Sequence, residues 1–224
     1  MRSEAERLWD KAIRRIDGER VDKIRPKLPR SLSQADYLVR NRNTIIELKT
    51  LETDRSRSDG FTEKMSDIYA NALRDRQVRA LVYGTAQVSS SQFEGEYKNW
   101  VRNAFELPLK ALIIEAQKQI ASTKLALGLR DAYGVLVVYN QNHPAIAIRH
   151  ARYMLHRFLT PESCPDINEV FYVAKRFDDQ MTPVWLRHGR CPHVSLASTP
   201  LEKHLRKALE EESEHHVHFS TLYA

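Results

Sequence analysis

The stretch SQADYLVRNRNTIIELKTLETD, residues 33–54, decides how the rest of the chain is read. Two short runs rich in strand-forming residues, Ala35–Val39 and Thr44–Leu51, flank Arg40-Asn41-Arg42-Asn43. Asn-containing breaks of this kind favour a tight reversal, so the spacing predicts an antiparallel hairpin. An even-numbered loop centred on Asn41-Arg42 pairs 39 with 44, 38 with 45 and 36 with 47. Side chains alternate along a strand, so Ile45, Glu47 and Lys49 share one face, while Ile46 and Leu48 take the other and are expected to be buried. Asp36 then faces Glu47. Cross-strand Cβ atoms lie about 4.5–5.5 Å apart, and like charges at that distance are destabilising. Two carboxylates so placed in an apolar segment invite a cation, and Lys49 adds a positive donor on the same face. Two oxygen ligands beside a lysine suit a hydrated Mg²⁺ (or Mn²⁺) ion that activates water against a phosphodiester.

Outward from the hairpin, apolar residues at Ala5, Leu8, Trp9, Ala12, Ile13 and Ile16 form a helical stripe over 3–16, closed by Asp17-Gly18. Residues 19–33, with Pro26 and Pro29, read mostly as connector, with room for a short strand at Val21–Ile24. Beyond the polar loop 55–60, a helix is expected over 61–77 and a strand over Arg79–Val88. Helical periodicity then runs from Phe93 to residue 126, and Pro108 is expected to split it into 93–106 and 109–126. The unbroken apolar run Val135–Tyr139 after Gly134 predicts a central strand buried on both faces. A helix over Pro144–Phe158, strands at Val170–Ala174 and Val184–Leu186, and an amphipathic helix over Pro200–Glu212 complete the chain. The fold class is α/β, a mixed central sheet flanked by helices, within one domain over 1–224. Residues 141–224 are the region left for specificity or partner contacts.

The chain has 224 residues, of which 42% are hydrophobic and 29% charged, which is enough for a normal core. Its 35 basic and 29 acidic residues leave a net charge of +6, which favours a polyanionic partner. Two cysteines, Cys164 and Cys191, are too few for a disulfide scaffold and are read as reduced thiols in a cytoplasmic protein. The charged N-terminal segment has no apolar core of a signal peptide, and no apolar run approaches the ~20 residues of a membrane span.

Ala35-Asp36-Tyr37 followed by Ile45-Ile46-Glu47-Leu48-Lys49 resembles the active-site hairpin of the PD-(D/E)XK nuclease superfamily. The proline usual beside the Asp is missing, the nearest being Pro29. The resemblance implies a restriction-endonuclease-like core of helix, three strands, helix and strand, although the connector 19–33 leaves little room for its first strand. It also implies a Mg²⁺-dependent nuclease in which Asp36 and Glu47 hold the metal and Lys49 places the water. A carboxylate from the first helix is often added in the superfamily, and of Glu4 and Glu6 the better placed is Glu6. The helix after the hairpin often contributes polar groups. Here Glu115, Gln119 and Thr123 lie on one rail, and Ala116–Ile120 (AQKQI) resembles that helix in uncharacterised bacterial members. Gln119 is the candidate for the metal water or the scissile phosphate, and Lys118 for the nucleic-acid backbone. DNA is the expected polymer.

Arg40, Arg42, Arg55 and Arg57 bracket the hairpin and are candidates for phosphate contacts. His188, Cys191 and His193, with Cys164, carry zinc-like spacing but lack a CxxC partner, and are read as a loop with a free thiol. His215, His216 and His218 are read as tail. No Walker A loop, dinucleotide fingerprint or nucleophile elbow occurs. Two readings remain open: the nuclease, and a non-catalytic module on the same fold that binds nucleic acid or protein. A homodimer would suit a double-strand cut, but no interface is legible in the sequence.

Overall fold

The computed structural model describes residues 4–24, 34–39, 43–51, 58–78, 93–141, 146, 148–160, 162–175, 181–187 and 195–212. In chain order the elements are α1 (Glu4–Arg15), β1 (Gly18–Arg20), a helical turn α2 (Val21–Ile24), β2 (Tyr37–Val39), β3 (Thr44–Leu51), α3 (Asp59–Arg74), α4 (Gly95–Leu127), β4 (Tyr133–Asn140), α5 (Ile148–Phe158), β5 (Glu169–Lys175), β6 (Met181–Arg187) and α6 (Ser195–Glu212). The six strands form one sheet in the order β1-β2-β3-β4-β5-β6. Pairing is antiparallel at β1-β2, β2-β3 and β5-β6, and parallel at β3-β4 and β4-β5. Parallel neighbours need long crossovers, and these contain α4 and α5.

Both faces of the sheet are covered. Trp9, Ala12 and Ile13 of α1 and Leu205, Ala208 and Leu209 of α6 pack with Ile46, Val135, Val137 and Phe171. On the other face Leu109, Ile113, Ala116 and Ile120 of α4 and Ala151, Met154 and Leu155 of α5 pack with Ile45, Leu136, Val138 and Tyr172. β4 lies between two parallel neighbours, and Gly134–Asn140 are all buried, as its unbroken apolar run requires. Among the described residues no helix is long and apolar enough to cross a membrane.

Several boundaries differ from expectation for identifiable reasons. The first strand is Gly18–Arg20, and Val21–Ile24 is a helical turn instead of a strand. Asp17 takes the left-handed backbone at φ 60° that ends α1, which lets pairing begin at Gly18. Gly18 itself is required by close approach: a Cβ there would lie 2.4 Å from Ile13 Cγ2. Pro108 does not split α4, which runs unbroken for 33 residues. Tyr97 and Val101 before the proline are pinned by Ile68 and Ala72 of α3, and Leu109 to Ile120 after it are pinned by the sheet. Packing on both sides offsets the roughly 3 kcal/mol that an interior proline costs. β6 extends back through Pro183, which an edge strand tolerates. The expected strand at Arg79–Val88 lies outside the described residues.

Gly134 opens β4 against the loop before β5. Its N–H donates to Asn168 Oδ1 at 2.7 Å, and its carbonyl accepts from the Asn168 N–H at 2.8 Å. An added Cβ would fall 1.9 Å from the Asp166 carbonyl oxygen. Gly134→Ala is therefore expected to lower unfolding free energy by about 3 kcal/mol or more, read by urea denaturation.

Candidate functional site

The hairpin forms in the register read from the sequence: Tyr37 pairs with Ile46, Leu38 with Ile45 and Val39 with Thr44. Asp36 stands one residue before the ladder, and side-chain bonds continue it. The Asp36 N–H donates to Glu47 Oε2 at 3.2 Å, and the Leu48 N–H donates to Asp36 Oδ2 at 2.9 Å. Each carboxylate is thus fixed by the backbone of the other strand. Ile45 and Leu51, of the same parity as Glu47 and Lys49, belong to the core under α4, so this face of β3 looks toward that helix.

The charges are not those of a solvated hairpin. Glu47 is only 1% exposed. Lys49 Nζ lies 3.1 Å from Glu47 Oε1 and 2.8 Å from Glu115 Oε1, bridging β3 to α4. Burial, reinforced by the Asp36 charge, pushes the Glu47 carboxyl up to about 8, against the pull of Lys49. Burial also raises Asp36, while the Leu48 N–H, Arg20 and Lys49 draw it back and Glu6 pushes it further. For Lys49 burial acts downward, but the bonds and charges of Glu115 and Glu47 outweigh it and hold the ammonium above its usual value.

The rail on α4 meets the hairpin at three successive turns. Glu115 takes Lys49; Gln119 Nε2 donates to the Gln34 carbonyl at 3.1 Å; Thr123 Oγ1 accepts from the buried Ala35 N–H at 2.7 Å. Gln119 Oε1 is buried without a hydrogen bond. The four-residue spacing of the rail is thereby converted into a clamp on residues 34, 35 and 49. Glu6 reaches the site through its charge on Asp36. Lys118 is exposed. Arg40, Arg42, Arg55 and Arg57, and likewise His188, Cys191, His193 and the histidines at 215, 216 and 218, lie outside the described residues. Cys164 is a buried free thiol in the core beside α5.

Sequence reasoning missed the support behind Asp36. Arg20 on β1 lies within charge reach of Asp36, over the Tyr37 ring and against Asp22 and Asp10. The Tyr37 hydroxyl donates to buried Asp10 at 2.8 Å. The available signal was the pairing of Arg20 with Tyr37, which appears only once β1 begins at Gly18.

Asp36 and Glu47 are the two carboxylates that a cation at this site would meet. Among the described residues no group of three or more His, Cys, Asp or Glu side chains gathers at a metal-binding position. Two carboxylates are a normal protein share for Mg²⁺, which keeps several of its waters. No family model, curated protein or solved structure matches the chain.

Two outcomes follow from the geometry. In metal-free buffer, melting temperature should fall as pH rises from the ordinary glutamate value of 4.5 through about 8, because the folded protein keeps a proton that the unfolded chain has released. Asp36 adds to the same slope, and Glu47→Gln should flatten it; a melting temperature steady or rising across this range in the wild type would contradict the buried pair. Thr123→Val, which keeps shape but removes the acceptor of the Ala35 N–H, should cost about 1–3 kcal/mol in urea unfolding.

Proposed function

We propose that the protein is a Mg²⁺-dependent nuclease of the PD-(D/E)XK type, hydrolysing phosphodiester bonds with DNA as its polymer. The observation that carries this reading is the convergence of Asp36, Glu47 and Lys49 beneath α4. The elements α1, β1, β2, β3, α4 and β4, with the turn α2 and helix α3 set among them, support it, because they supply the helix, three strands, helix and strand expected of a restriction-endonuclease-like core. Burial adds chemical support. Both carboxylates are held above their ordinary range, so a divalent ion would relieve a shortage of positive charge that Lys49 alone leaves.

Asp36 and Glu47 would hold the ion. When bound, Mg²⁺ supplies charge neutralisation at the phosphate and lowers the pKa of a bound water. Lys49 places the attacking water or meets the charge that grows on the phosphate oxygens. Glu115 keeps the Lys49 ammonium protonated and aimed. Gln119, its amide nitrogen committed to Gln34, has Oε1 left as the acceptor it would offer to the metal water. In the reaction the water oxygen would bond phosphorus and release a proton to solvent, as the phosphorus–oxygen bond to the leaving strand breaks and the leaving oxygen takes up a proton from solvent. Glu6 is the further carboxylate near Asp36. Arg40, Arg42, Arg55, Arg57 and Lys118 are the proposed contacts to the phosphate backbone.

The test is cleavage of plasmid and single-stranded DNA with Mg²⁺, Mn²⁺ or EDTA. Cleavage should require the metal and fall at least about 100-fold in Glu47→Ala and in Lys49→Ala, with folding and DNA retention largely kept. Wild-type cleavage by both variants would refute the assignment. DNA retention that falls steeply with salt, without cleavage by the wild type under any metal, would leave the non-catalytic binding module instead.

A further inference from the structure

Helix α4 buries one side against α3 and the sheet and leaves another side open. On the open side Trp100, Leu107 and Ile114 are 42%, 55% and 45% exposed, with exposed Ala111 beside them. Trp100 is steadied by an edge-on contact with Tyr97 at 4.8 Å between ring centres. The three large side chains stand at seven-residue intervals, so they form one stripe along the axis. That is the period of a helix that lies along another helix, and it differs from the broader face by which α4 meets the sheet.

The stripe is symmetric about Leu107. Trp100 lies seven residues before it and Ile114 seven after. The charges repeat the symmetry: exposed Glu96 lies eleven residues before Leu107 and exposed Lys118 eleven after. Eleven residues are close to three full turns, so both charges fall on the same stripe. Neither makes an ion pair among the described residues. An antiparallel two-fold through Leu107 lays Trp100 of one copy on Ile114 of the other, Leu107 on Leu107, and Glu96 on Lys118 twice. Self-complementarity of this kind is what a two-fold interface demands, and an unrelated partner would impose no such symmetry. We infer that two copies of this chain pair through α4, antiparallel about Leu107. The pairing does not rest on the nuclease reading, but it takes up Lys118, which leaves Arg40, Arg42, Arg55 and Arg57 as the proposed phosphate contacts of the paired form.

Sedimentation equilibrium of the full chain tests it. The wild type should have the mass of two copies at micromolar concentration, and Leu107→Glu the mass of one, with an unchanged circular dichroism spectrum. Glu96→Lys and Lys118→Glu should each weaken the dimer by about tenfold, since each reversal turns two opposite-charge pairs into like-charge pairs. The two reversals combined should restore wild-type affinity. These two sites are exposed, so the charge arm remains decisive even where Leu107→Glu fails to fold. A monomeric wild type, a dimer indifferent to Leu107→Glu, or a double reversal no better than either single one would overturn the antiparallel pairing.

Discussion

Two carboxylates and an ammonium group drawn together where the β2–β3 hairpin meets α4 set the terms for the rest of this structure. A carboxylate that is almost wholly buried beside a second one is unfavourable unless each is tied down. The protein ties them through main-chain N–H groups at Asp36 and Leu48 and through Lys49, which is held in turn by Glu115. Each element needed for that arrangement is anchored by its neighbours. β3 is paired on both sides, and α4 crosses over it with Ala116 and Ile120 buried in the shared core. The unfavourable electrostatics are thus supported by apolar packing a few residues away.

Helix α4 links the parts of the molecule. Its second half covers the site and packs on the sheet, while its first half packs on α3 through Tyr97 and Val101. Because it remains one helix across Pro108, the clamp residues 115, 119 and 123 and the exposed stripe from Trp100 to Ile114 belong to one rigid body. Pairing of two copies through that stripe would set the separation of their two sites by helix geometry alone.

Much of this was legible in the sequence because it rests on short-range periodicity. The hairpin register followed from the four-residue break, the central strand from the apolar run after Gly134, and the rail from four-residue spacing. What could not be read depended on contacts distant in sequence. Gly18–Arg20 is too short to show strand periodicity and forms because β2 supplies partners. The continuity of α4 through Pro108 comes from α3 and the sheet, neither of which is adjacent in the chain. The rail predicted that 115, 119 and 123 align but not that they grip Lys49, Gln34 and Ala35 in turn. The depth of Glu47 was equally hidden, since an alternating strand with Glu and Lys reads the same when its face is solvated.

The most direct measurement is a crystal soaked in Mn²⁺ with its anomalous scattering recorded, for the wild type and for Glu47→Gln. The account predicts one Mn²⁺ ion at inner-sphere distance, about 2.1 Å, from oxygens of both Asp36 and Glu47 in the wild type, and its loss in the variant. Crystals of the wild type in which the two carboxylates hold no ion while Mn²⁺ binds elsewhere would contradict it.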